Sequence, residues 1–144
     1  MKFFLDTSVL VAALVRGHPH HLRAFGVFRS VAGGEHEGYV STHTLAEFYA
    51  VITRLPMKPA VHSSEAMVMV DRDILAHCRL IEPDARDYRI TLAKAAESGW
   101  RGGSIYDALL LRCAAKADPD RIYTFNVADF VRLSPDLADR IRAP

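Results

Sequence analysis

Four acidic side chains stand in unusual company. Asp6 interrupts two apolar runs in "MKFFLDTSVLVAAL", Glu47 lies within "STHTLAEFYAVITRL", Asp107 directly precedes "ALLLRCAA", and Asp129 follows the apolar stretch "RIYTF". Each has a local explanation as a helix cap. Asp6 is a good N-cap for a helix beginning at Thr7. Thr44 with Glu47, and Ser104 with Asp107, have the form of capping boxes, and Asn126 can cap a turn that contains Asp129. The joint reading is different, because Glu47 and Asp107 border faces that must pack. Acids brought to one rim repel one another, and some are then driven toward the protonated form. A divalent cation removes that conflict. Carboxylates and water are hard oxygen ligands that suit Mg²⁺ or Mn²⁺. Such a centre engages phosphate and supports in-line cleavage of a phosphodiester.

The elements that position these acids follow from hydropathy. Short apolar runs at Phe3 to Leu5, "YVS", "RLIE" and "RIYTF" predict strands. Helical spacing predicts helices over Thr7 to Val15, His21 to Ala32, Thr44 to Leu55, Ser63 to His77, Pro83 to Ser98 and Ser104 to Ala117. The inward residues are expected to be Leu22, Phe25, Phe28 and Val31 in the second helix, and Ala66, Met67, Val70, Ile74 and Leu75 in the fourth. The tail after Phe130 has room for one more short strand. Strands alternating with helices predict an α/β three-layer sandwich whose central sheet, mostly parallel, is flanked by helices. In such sheets ligands bind outside the carboxyl ends of the strands, where Asp6 falls.

The 144 residues suit a single domain spanning 1–144, and the half that is apolar or aromatic is ample for a core. The formal net charge of +1 gives no basic footprint, and 14 Arg against 4 Lys fits either a phosphate-bearing partner or a GC-rich coding sequence. Cys78 and Cys113 lack metal-type spacing and read as small buried hydrophobes in a reducing compartment. No apolar stretch reaches the length of a membrane span, and Asp6 cuts short any signal-peptide core, so a cytoplasmic protein with no membrane contact is expected.

Taken in order, "FLDTSVLVAAL", "STHTLAEFYAVITRL", "SIYDALLLRCAA" and "IYTFNVADF" resemble the four signature stretches of PIN-domain ribonucleases. The resemblance is nearest to the VapC-type toxins of toxin–antitoxin pairs and runs from near the start of the chain to Phe130. It implies a Mg²⁺- or Mn²⁺-dependent endoribonuclease acting on structured RNA such as tRNA or rRNA and leaving 5′-phosphate and 3′-hydroxyl ends. It also implies a homodimer, and inhibition by a cognate VapB-like antitoxin. By position, Asp6, Glu47 and Asp107 match the family's catalytic, metal-binding acids. The fourth place falls to Asn126 or Asp129; Asp129 is preferred as the acid and Asn126 as a neighbouring or substrate contact. Thr7 and Ser8 offer contacts beside Asp6, and Thr124 marks the strand end before Asn126.

Other features carry less. Trp100 and Arg101, in the "GWRGG" loop, suit stacking on a base and gripping a phosphate, or packing at the domain edge. His18, His20 and His21 fit no standard zinc spacing and read as a solvated loop within reach of substrate. The helices bearing "FGVF" and "AVITRL" carry bulk suited to a dimer or antitoxin contact. Two rival readings remain. One is a receiver-like phosphoacceptor, disfavoured because Asp6 stands alone and no lysine follows "RIYTF". The other is a catalytically degenerate PIN module that binds RNA or a protein without cutting.

Overall fold

The computed structural model describes all residues, 1–144. Five strands, β1 (Lys2–Leu5), β2 (Glu37–Ser41), β3 (Cys78–Ile81), β4 (Arg121–Tyr123) and β5 (Ile141–Arg142), form one sheet in the order β3-β2-β1-β4-β5. Every pairing is parallel, with Phe4 opposite both Tyr39 and Ile122 at the centre. Seven α-helices connect the strands: α1 (Thr7–Leu14), α2 (His21–Ala32), α3 (Thr42–Ile52), α4 (Ser63–Met69), α5 (Ala85–Ser98), α6 (Ser104–Ala117) and α7 (Val127–Leu133).

Side chains alternate across the sheet with the strand period of two. Phe3, Leu5, Val40 and Tyr123 join the core under α1 to α4. Phe4, Tyr39 and Ile122 join the opposite core under α6 and α7. Both faces are therefore covered, which is the usual condition of an all-parallel sheet. Cys78 and Cys113 are free and buried, as expected, and burial pushes their thiols up to about 12 and about 11.

Three expectations change. In α2 the buried face is Ala24, Phe28 and Val31; Leu22 is 84% and Phe25 39% exposed. The fourth helix does not run as one α-helix to His77, because Val70–Leu75 winds as a π-helix. Its buried residues, Ala66, Val70 and Ile74, recur every four positions, longer than the 3.6-residue α period, and wider winding keeps them on one face. Met67 and Leu75 consequently point outward. The segment after β4 also holds an unforeseen helix, α7, packed through Phe130 and Leu133.

One ion-pair network sets where α6 lies. Asp87, 3% exposed, shares a capping box with Asp84 at the start of α5. It also accepts from Arg112 Nε at 2.8 Å and Lys116 Nζ at 2.7 Å, both on α6. The hydrogen bonds from Lys116 and Arg112 hold the Asp87 carboxyl well below the usual carboxylate range. A carboxylate with a depressed pKa contributes stability above its unfolded pKa and loses that contribution as pH falls. Asp87→Asn is therefore expected to lower the melting temperature by roughly 5 °C at neutral pH. In paired melts the gap between wild type and variant stays constant above about pH 5 and narrows as the pH is lowered toward 3.

Candidate active site

The order of the strands reverses at the centre of the sheet. From β1 the chain moves outward to β2 and β3, then crosses back to β4 and β5 on the other side. Loops leaving β1 and β4 enter opposite helical layers and part from each other, opening a crevice at the carboxyl edge. Asp6 follows β1 there, and Thr124 to Asn126 follow β4.

Asp6 occupies the N-cap position of α1 yet makes no side-chain cap bond. Its Oδ2 instead accepts from Ser8 Oγ at 2.6 Å and from Thr124 Oγ1 at 2.8 Å. Both hydroxyls are anchored in turn: Ser8 Oγ accepts from the Phe125 N–H and Thr124 Oγ1 from the Asn126 N–H. Oδ1 accepts from no side chain. Asp6 is only 7% exposed, and burial raises its pKa above the usual carboxylate value against the pull of those two hydroxyls.

Glu47 reaches the same cleft from α3. The expected capping box does not form, because Ser41, the last strand residue, accepts from the Thr44 N–H and starts the helix at Thr42. Glu47 then falls in the second turn, where its Oε2 accepts from Thr7 Oγ1 at 2.7 Å. Asp107 comes from the opposite layer. It sits in the first turn of α6, whose N-cap is Gly103 and whose end carries no side-chain cap. Its carboxylate takes no hydrogen bond, and its pKa is raised to about 6, first by desolvation and then by the charges of Asp6, Glu47 and Asp129. The capping explanation thus fails for all three acids.

These residues line an open cleft of about 480 Å³, which Asn126 and Phe125 also border. Asp129 is exposed on α7, 3.3 Å from Arg132; its charge is felt at Asp107, but it does not line the cleft. Trp100 lies elsewhere, in a small cavity beside Leu111 and Leu133, with Lys94 Nζ 5.6 Å from its ring centroid. Arg101 is exposed on the loop before α6. The "RGHPHH" segment is not simply solvated, because His18 and His20 fold back to form part of the cleft wall. A second ring pair, His43 on Tyr106, stacks at 5.3 Å and 3° where α3 and α6 meet. Its only sequence signal is that His43 lies one helical turn before Glu47 and Tyr106 directly before Asp107.

No group of three acids, histidines or cysteines stands close enough to grip one ion together. The donor set still fits a small hard cation. Mg²⁺ takes one or two carboxylates directly and keeps several waters. Asp6 Oδ1, Glu47 Oε1 and the Asp107 carboxylate accept from no side chain, and the acids around Asp107 outweigh the opposing charge of Arg132.

Comparison with known proteins agrees with this geometry. A PIN domain family model matches residues 3–134. Ribonuclease VapC27 of Mycobacterium tuberculosis is 32% identical over 113 residues, covering 78% of this chain and 76% of the relative. Among solved structures, M. tuberculosis VapC20, described as a sarcin-ricin loop cleaving toxin, superposes with a TM-score of 0.69 at 20% identity, covering 90% of this chain and 93% of that one. VapBC2 from Rickettsia felis, solved bound to a promoter DNA fragment, gives a TM-score of 0.62 at 17% identity and covers 92% of each chain. With Asp6, Glu47 and Asp107 bordering one cleft at the switch point of the same fold, the chain belongs to the PIN-domain family and to its VapC ribonucleases.

Proposed function

We propose that the chain is a Mg²⁺- or Mn²⁺-dependent endoribonuclease toxin that hydrolyses RNA phosphodiesters at the Asp6 cleft and is neutralised by a VapB-like antitoxin. The observation that carries this reading is the treatment of Asp6: one oxygen is held by two anchored hydroxyls and the other has no side-chain donor, in a cleft that Asp107 also lines. A carboxylate kept only for stability would be satisfied at both oxygens or left in solvent. The kinship with a protein named as a ribonuclease supports the reaction. The antitoxin, the homodimer and a target among structured tRNA or rRNA loops rest on the family resemblance.

Bound at these carboxylates, a divalent cation supplies charge neutralisation for the scissile phosphate and activation of the attacking water. The chain's own groups have separable tasks. Ser8 and Thr124 fix the orientation of Asp6, and Thr7 fixes Glu47. Asp107 brings negative charge from the second helical layer. Asn126, on the cleft wall, offers a carbonyl to the substrate or to water, and Asp129 adds charge from outside the cleft. The absence of three acids within one ion's reach favours a second reading, a PIN module that binds RNA or a partner without cutting. End-mapped sequencing of total RNA incubated with the protein, in Mg²⁺ or in chelator, separates the two. Metal-dependent new 5′-phosphate ends support the nuclease; none in either condition supports the binding module.

Asp6→Asn and Asp107→Asn are expected to lower cleavage more than a hundredfold, while Ser8→Ala and Thr124→Val, which disturb only orientation, cost about 10- to 100-fold. Neither Asn variant is expected to melt earlier than wild type in chelator, since each removes a charge that burial disfavours. Early melting would assign these acids to the core.

The raised pKa of Asp107 sets a pH dependence. Between the unfolded carboxylate value of about 4 and the folded value of about 6, the folded state alone holds the proton. The stability from this group is therefore complete below about pH 4 and is lost as pH rises through about 6. A cation requires the deprotonated form. Millimolar Mn²⁺ is expected to raise the melting temperature more at pH 7.5 than at pH 5, and a differential scanning series reads the difference.

A further inference from the structure

The loop between α1 and α2 brings rings to the cleft that the acid chemistry does not use. His20 stacks on Phe125 with 4.8 Å between ring centroids and 21° between planes. His18 stands 5.8 Å from His20 and 6.5 Å from Phe125, tilted against both. Its Nδ1 accepts the His20 backbone N–H at 3.1 Å, which ties the two residues into one turn and places the proton of the neutral ring on Nε2. Partial burial, then the charges of His20 and His21, hold His18 below the usual histidine range.

The platform is also tied to the leading acid. The Phe125 N–H donates to Ser8 Oγ at 3.2 Å, and Ser8 Oγ donates to Asp6 Oδ2 at 2.6 Å. Two hydrogen bonds therefore fix the ring stack relative to the carboxylate that faces the phosphate. His20 is exposed and His18 and Phe125 half-buried, and all three line the cleft. A flat, accessible ring beside a phosphodiester site meets the π-face of an unpaired base, which stacks on aromatic side chains with little regard to sequence. The His43–Tyr106 pair lacks this connection and does not line the cleft.

We propose that His20 on Phe125, flanked by His18, is the platform on which an unpaired base of the RNA stacks, setting which nucleotide stands beside Asp6. The proposal rests on the nuclease reading for the position of the phosphate. The base contact itself is independent of turnover.

The test compares two labelled probes of equal length, a single-stranded oligoribonucleotide and its abasic counterpart, bound in Ca²⁺ and read by fluorescence anisotropy. His20→Ala is expected to weaken the RNA probe about tenfold and leave the abasic probe unchanged, with His20→Tyr restoring RNA binding. Phe125→Leu is expected to reproduce the pattern, and an unchanged melting temperature of the His20 variant excludes unfolding. Equal weakening on both probes, no weakening on either, or failure of the Tyr variant to restore binding overturns the platform. Cleavage by wild type in Mg²⁺ is measured separately. Ring-dependent binding without cleavage keeps the platform and removes the nuclease reading, whereas cleavage without ring dependence does the reverse.

Discussion

Burial of carboxylates that also repel one another is the constraint around which the carboxyl edge of this sheet is organised. Three acids from three elements, Asp6 after β1, Glu47 on α3 and Asp107 on α6, border one cleft. Close acids of like charge cost free energy unless something holds and screens them. The chain answers with hydroxyls that are near at hand. Thr7 and Ser8 follow Asp6 directly, and Thr124 stands at the end of the neighbouring strand. They satisfy one oxygen of Asp6 and one of Glu47. Asp107 has no such partner, and desolvation first, then the neighbouring charges, push its carboxyl up to about 6. A residue so placed is a cost to folding that a cation can offset.

The rest of the fold delivers these groups. Because strand order reverses between β1 and β4, the two loops diverge and leave a crevice that no side chain needs to fill. Each helical layer then contributes an acid to the same rim. Asp87 binds Arg112 and Lys116 and so locks α6 to α5, far from the cleft but on the helix that carries Asp107. The Ser8 hydroxyl serves two loops at once, donating to Asp6 and accepting from Phe125. The position of the β4–α7 loop is thereby coupled to the orientation of the acid.

Hydropathy and its breaks located the four longer strands and the starts and ends of α2 and α6, although only Phe28 and Val31 of the expected apolar face of α2 are buried. The acids at Asp6, Glu47 and Asp107 were readable because each adjoins a run that must pack. Side-chain direction was not. The four-residue repeat of Ala66, Val70 and Ile74 looks α-helical until the difference between 4 and 3.6 accumulates, and the π-helical winding appears only in three dimensions. Capping patterns misled for a related reason. Ser41 competes with Thr44 for the same helix start, and nothing local decides between them. Of the two readings of Trp100, packing at the domain edge holds: the loop nearest Asp107 in sequence turns its tryptophan toward α5 and α7, while His18 and His20 reach the cleft by a fold-back in which His20 stacks on Phe125.

The proposed site is one cation shared by Asp6 and its neighbours. Anomalous diffraction at the manganese edge, on crystals of the protein soaked in Mn²⁺, tests it most directly. A shared cation gives a single strong peak at Asp6 Oδ1 within reach, directly or through one water, of Asp107. A crystal saturated with Mn²⁺ that shows no peak there, or shows manganese only at surface sites remote from Asp6, would contradict it.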